Sequence, residues 1–307
     1  MRLLLTTIFL AAFAGCGAND GGAALSLATP DRTLAPGEES TYCYYDHTDN
    51  TSPVLINRWV SEKPQGIHHA IMFTNPSGDQ PPDGSFDPND CGIVGLSQPL
   101  WTYATVEQQE ELLLPPDDGD GKPVVQLVAP HTAVYFSIHY INATDLPITV
   151  HFSLDAFKID DDAPHTETAP LLTYNNSIAI PPNATNHVES ASCPLPEGVK
   201  FWHASIHSHK QTVHDSIKDG DTVVFETSDW EHPGQTTWDA PFYTFQSPNL
   251  TWECVYDNLG SNKDSTVTAG PTATVNEMCM GRMFMVPATK VYFCVWDTSI
   301  PGNCVCD

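Results

Sequence analysis

Residues 201–210 read FWHASIHSHK and place His207 and His209 one residue apart. In an extended strand, side chains two residues apart share a face, so both imidazoles of this H-x-H pair point the same way. Two neutral ring nitrogens on one face can hold a metal, and imidazole suits Zn, Cu, Ni and Fe. His203 shares that face if the strand is unbroken. The composition supports the strand reading, because 26 prolines and 19 glycines, with many Thr, Val, Tyr and Phe, favour strands and turns over helices. Helical periodicity is almost absent, residues 106–114 being the best short candidate. The expected class is all-β.

Working outward, strands are expected at 41–46 (TYCYYD), 67–73 (IHHAIMF), 134–142 (VYFSIHYIN) and 148–157. Residues 158–169, KIDDDAPHTETA, are polar, acidic and proline-bearing, and mark a domain boundary. Further strands follow at 177–180, 188–193, 200–209, 222–227, 250–256, 277–286 and 290–296. Turn clusters such as Asp219-Gly220-Asp221 separate them. The 307 residues, 41% hydrophobic, supply real cores. The spacing predicts two consecutive antiparallel β-sandwiches, jelly-roll-like, over 25–163 and 164–307.

Other histidines give the H-x-H pair its context. His68 and His69 are adjacent, so in a regular strand they face opposite sides and meet one metal only from a bent or bulged backbone. The plainer alternative buries one and exposes the other. His139 faces the same way as Ser137 and Tyr135. Met278, in NEMCM at 276–280, adds a thioether, and soft sulfur selects Cu(I). Three histidines alone would also suit zinc.

The formal charge of −26 excludes a nucleic-acid partner, which needs a basic footprint. At the N-terminus Arg2 precedes an apolar run over 3–14, too short to span a bilayer and fitting a signal peptide over 1–15. It leads into Ala12-Phe13-Ala14-Gly15-Cys16, which resembles a bacterial lipobox with Cys16 as the lipidated residue. Plain signal-peptidase cleavage and secretion is the alternative. Residues 16–24 then form a lipid-anchored tether, and the protein is exported to the cell envelope, at the outer membrane. The membrane is met only through that anchor. Export permits disulfides among the remaining eight cysteines, Cys43, Cys91, Cys193, Cys254, Cys279, Cys294, Cys304 and Cys306, which sequence alone cannot pair.

The succession HHAIMF at 68–73, SIHY at 137–140, IHSHK at 206–210 and NEMC at 276–279 resembles the copper type II, ascorbate-dependent monooxygenases. These include peptidylglycine α-hydroxylating monooxygenase and dopamine β-monooxygenase. TYCYY ahead of the double histidine, AIPPN at 179–183 and ECVYDN at 253–258 extend the likeness over nearly all of the chain after the leader. The resemblance implies one copper per β-sandwich, two per chain, facing each other across a solvent-filled cleft. It implies an electron-storing copper on His68, His69 and His139 and an O2-reacting copper on His207, His209 and Met278. It also implies O2, a small-molecule substrate and ascorbate or a similar reductant as reaction partners, and the disulfides Cys254–Cys279, Cys193–Cys294 and Cys43–Cys91. Cys304 and Cys306 lie outside that pattern and either bridge each other or bind metal.

The chain departs from the family at three places. Ser205 replaces the peptidylglycine enzyme's carboxylate-binding arginine, Ser137 a glutamine, and Arg282 a tyrosine. C-terminal glycine amidation is therefore not the expected reaction. Met278 and Arg282 are four apart and share a face in an unbroken strand, so Arg282 is expected to anchor an anionic substrate group, the alternative being a salt bridge. His47, His131, His151, His165, His187, His203, His214 and His232 have no matching role and read as surface or core residues. The competing functions are a copper-binding envelope protein without turnover and a zinc-bound structural relic. Six ligands in two differently built sets favour turnover.

Overall fold

The computed structural model describes residues 22–75, 77–88, 100–105, 108–270 and 275–306. Among them there is no helix. The first half contains β1 (Leu25–Ala28), β2 (Arg32–Leu34), β3 (Glu39–His47), β4 (Val54–Glu62), β5 (Ile67–Thr74), β6 (Phe86–Asp87), β7 (Leu100–Thr105), β8 (Gln109–Leu113), β9 (Val124–Val128), β10 (Ala133–Ile141), β11 (Ile148–Val150) and β12 (Ser153–Lys158). The second contains β13 (Thr166–Glu167), β14 (Ala169–Asn175), β15 (Ala179–Ile180), β16 (His187–Pro194), β17 (Lys200–Ser208), β18 (Thr212–Asp219), β19 (Thr222–Thr227) and β20 (Thr236–Thr237). It continues with β21 (Asn249–Tyr256), β22 (Val267–Thr268), β23 (Cys279–Val286), β24 (Tyr292–Trp296) and β25 (Cys304–Cys306).

In the first half, the sheet β1-β12-β4-β9-β13, with β8 on β4, packs against the sheet β6-β3-β10-β5-β7. Strand alternation explains what the second sheet does. Val134, Phe136, Ile138 and Tyr140 of β10 enter the core, and they meet Ile56, Trp59, Leu154 and Ala156 of the other sheet. The intervening Tyr135, Ser137 and His139 are thereby turned outward, away from that core. In the second half, the sheet β20-β17-β23-β14-β24-β25 packs against β16-β21-β18-β19. Ala204, Ile206, Met283 and Met285 face Trp252, Leu250 and Tyr256 across that core. His203, Ser205 and His207 of β17 lie on the opposite face, with Met280, Arg282 and Phe284 across the ladder on β23.

The two outward faces pack on each other. Phe73, Trp101 and Tyr135 of the first half form one apolar cluster with Leu172, Met278, Met280 and Phe293 of the second. Trp202, Phe242, Phe284 and Val286 join the core of the first half. All eight residues of β23 are buried for this reason, since it has protein on both faces.

Several expectations change. Residues 109–113 form β8 instead of a helix, paired to β4, with Leu112 buried and Leu113 exposed as a strand requires. The strand expected over 148–157 breaks into β11 and β12, because Phe152 turns inward and its N–H is taken by Thr29 Oγ1. β13 lies beyond residue 163 and yet pairs with β9 of the first half.

Cys254–Cys279 forms as expected. Cys193–Cys294 does not: Cys193 bonds Cys304 and Cys294 bonds Cys306. The cause is β25, which lays Cys306 opposite Cys294 with 4.2 Å between Cα atoms. Cys304 and Cys306, two apart in a strand, are separated by roughly 6.6 Å along the chain, at the limit of a disulfide's reach. Cys43 is disulfide-bonded. Cys91, its expected partner, and Cys16 lie outside the described residues. These bridges agree with an oxidising compartment. Among the described residues no helix is long and apolar enough to cross a membrane.

Candidate metal centres

The first histidine cluster depends on a break in register. Along β5 and β10, His139 pairs with His69, but the next residue, Tyr140, pairs with Ile67. His68 is thus the extra residue of a β-bulge, the distortion that lets adjacent histidines turn the same way. The Nδ1 atoms of His68 and His69 stand 3.2 Å apart. Two nitrogens on one tetrahedral ion at about 2.0 Å would be separated by about 3.3 Å. One ligand atom from each of His68, His69 and His139 lies within 4.8 Å of the others. The outer nitrogens are also engaged: His68 Nε2 meets Glu231 Oε1 at 2.6 Å and His139 Nε2 meets Glu39 Oε1 at 3.2 Å. Burial lowers the pKa of His69 well below its ordinary value, with the neighbouring His139 and His207 adding to the effect. His139 is lowered too, chiefly by burial.

The second cluster sits on β17 and just past its end. The rings of His207 and His209 are 5.4 Å apart. His209 Nδ1 donates to the Asn276 carbonyl at 3.0 Å, which fixes the tautomer and leaves Nε2 with a lone pair. Burial pushes His207 down to about 3 and His209 to about 4, so both imidazoles are neutral near pH 7. Glu277 clamps this corner by accepting the N–H groups of His209 and Gln211. Met278 follows immediately, and its carbonyl accepts the Tyr256 hydroxyl. Its side chain, 8% exposed, lies in the apolar cluster with Trp101. The Trp101 ring is 5.7 Å from that of His207.

The rings of His69 and His207 are only 6.4 Å apart. The expected solvent-filled cleft is replaced by two imidazole clusters in near contact, because the apolar faces around Trp101 and Met280 close on each other. Arg282 lies directly across the ladder from Ser205, the position where the sequence lacks the expected arginine. It is 7% exposed, and Nε and Nη2 have no hydrogen-bond partner among the described residues. Its guanidinium stands 5.0 Å from the centre of Phe284 and 5.7 Å from that of Trp101. Burial lowers its pKa to about 10, and it remains a cation near pH 7.

His203 is fully buried on the same face, hydrogen-bonded through Nε2 to Gln235, with Nδ1 unpartnered. His47, His151, His187 and His214 pair instead with nearby carboxylates. Sequence reasoning missed Glu39, Glu231 and Glu277, which hold the histidines in place. No local pattern marks them, since each reaches its histidine through the fold.

Fold and site together define an all-β protein with two histidine clusters between packed sandwiches. No family model matches the chain. Over 139 residues it is 26% identical to a tyramine beta-hydroxylase of Caenorhabditis briggsae, which takes in 40% of this chain and 23% of that protein. The match thus covers less than a quarter of that relative's length, and it gives weak support to a monooxygenase relationship. Among solved structures, the major capsid protein P2 of bacteriophage PM2 aligns at a TM-score of 0.37 and 10% identity, covering 85% of this chain and 96% of that one. PNGase F, a glycosylasparaginase from Flavobacterium meningosepticum, aligns at 0.34 and 8%, covering 87% and 96%.

Proposed function

We propose that this chain is an exported, Cys16-anchored copper monooxygenase that hydroxylates a substrate C–H bond using O2 and an external reductant such as ascorbate. The observation that carries the reading is the bulge at His68. It converts an unpromising HH pair into three convergent imidazoles and sets the ring of His69 6.4 Å from that of His207. His68, His69 and His139 would hold one copper, and His207, His209 and Met278 the other. Copper bound there supplies one-electron transfer and reaction with O2.

The chain's own residues perform the remaining tasks. Burial keeps the imidazoles neutral and able to bind metal at neutral pH. Phe73, Trp101, Tyr135 and Phe293 exclude water around Met278. Arg282 offers Nε and Nη2, unpartnered and aimed from the strand position facing Ser205, to an anionic substrate group. The salt-bridge alternative is not what these two nitrogens make among the described residues.

The test is metal content and reductant-driven O2 uptake, with small amines, phenethyl compounds and acyl-glycines as candidate substrates. Two coppers per chain and product-coupled uptake are expected. Met278→Ala should keep first-site copper and lose turnover. Arg282→Met should raise KM for an acid but not for its neutral amide. A single zinc, or no uptake with any donor, would overturn the reading.

A further inference from the structure

A metal-bound imidazole is steered by whatever holds its other nitrogen, and carboxylates serve that purpose well. Two histidines of the first cluster have such partners, of different origin. Glu39, on His139, comes from β3 of the same sheet. Glu231, on His68, comes from the segment between β19 and β20, in the other half of the molecule.

That segment is anchored at several points. Asp229 Oδ1 accepts the N–H groups of Glu231 and His232 at 3.1 and 2.8 Å. Ser205 Oγ donates to the Gly234 carbonyl at 2.8 Å, and His203 Nε2 donates to Gln235 at 2.8 Å. His203 and Ser205 stand on the strand face that also carries His207. The segment is therefore fastened to the H-x-H strand and reaches across to His68.

Resting on the metal-binding part of the function proposed above, we infer that Glu231 is a positioning residue for the first metal site, supplied by the second half. It fixes His68 with Nδ1 inward, and so links metal loading at His68, His69 and His139 to seating of residues 228–235. Metal on Nδ1 withdraws charge from the ring and makes its Nε2–H a better donor to the carboxylate. By thermodynamic reciprocity, a seated segment raises the first site's metal affinity, and metal tightens the segment. Without metal the contact is a half-exposed pair, with the two side chains 18% and 45% exposed, a kind that contributes little.

The experiment uses protein in which His207→Gln and His209→Gln silence the second site. Cu(I) affinity is measured by competition with a chromogenic chelator, and amide hydrogen exchange of residues 228–235 is followed with and without Cu(I). Glu231→Ala should weaken binding about 10–100-fold, with Glu231→Gln intermediate, as is usual for outer carboxylates. Added Cu(I) should slow exchange in the segment of the parent but not of Glu231→Ala, while metal-free melting temperatures stay close. Unchanged affinity with unchanged segment protection would overturn the inference. A variant that loses melting temperature but keeps affinity would do the same, by making Glu231 structural. If the parent itself binds no Cu(I), the copper reading fails and this one with it, an outcome visible before any Glu231 variant is compared.

Discussion

At the scale of single residues, the seam between the halves holds polar groups in places that polar groups avoid. His203 Nδ1 and Arg282 Nε and Nη2 are buried without partners among the described residues, and unsatisfied groups of this kind are costly. His203 gives a direct test through pH. Burial, helped by the Arg282 charge, lowers its pKa from 6.5 to about 3. The unfolded chain then binds a proton that the folded chain refuses, so the stability from a neutral His203 is present above about 6.5 and is lost as pH falls. Between pH 7 and 5 the loss should be about 2 kcal/mol. Asp215 and Glu277 act in the opposite sense. Burial raises them to about 7 and 8, and they lose stability as pH rises through those values. Comparing His203→Gln with the parent isolates the histidine, because the carboxyl contributions cancel: by denaturant unfolding the variant should gain about 2 kcal/mol relative to the parent from pH 7 to 5. Parallel curves would show that His203 charges freely in the folded protein.

Among elements, the controlling device is the alternation of β10, β17 and β23, each of which gives one face to its own core and the other to the seam. The bulge at His68 and a second one at Trp202, between the pairs Phe201–Met285 and His203–Phe284, adjust that alternation where the site needs it. Cys254–Cys279 ties β21 to β23 one residue beyond Met278, closing a separation of 25 residues. Removing it as Cys254→Ala/Cys279→Ala should destabilise the protein by about 3 kcal/mol on loop-entropy grounds. It should also free the Met278 turn, so second-site copper is lost and first-site copper kept. Removing Cys294–Cys306 in the same way should cost a similar amount of stability, since it spans 12 residues, yet leave both coppers bound. Copper analysis and calorimetry on the two double variants read this difference. Equal metal loss in both would show that the Met278 turn is not what the first bridge secures.

For the whole molecule, the halves share apolar core and do not merely touch. Trp202 stacks on Phe284 at 5.1 Å, donates its indole N–H to Thr168 Oγ1, and belongs with Phe284 to the core cluster of the first half. Both side chains are essentially inaccessible to solvent. Trp202→Ala should therefore destabilise by about 3–5 kcal/mol, and the loss should appear in one calorimetric transition covering both halves. Two transitions, with only the second-half one moved, would mean that the sandwiches unfold independently.

The sequence by itself determined the class of the fold and the shared faces of His139 and of the H-x-H pair, because strand period and turn chemistry are local. It was sufficient to place His139 with Ser137 and Tyr135, to place Met278 and Arg282 on one face, and to require a bulge if His68 and His69 were to converge. Strands β4, β9, β14 and β18 escaped it. β18 carries Thr212, Asp215, Ser216 and Asp219 in buried positions and reads as polar chain until its neighbours are known. Only the tertiary structure decided the rest. The disulfide partners of Cys193 and Cys294 follow from β25 docking beside β24, a contact between remote segments with no sequence signature. The near contact of His69 and His207, and the reach of Glu231 to His68, arise because two half-apolar sheet faces bury each other. That choice depends on the shapes of both surfaces at once, and no single stretch of the chain contains it.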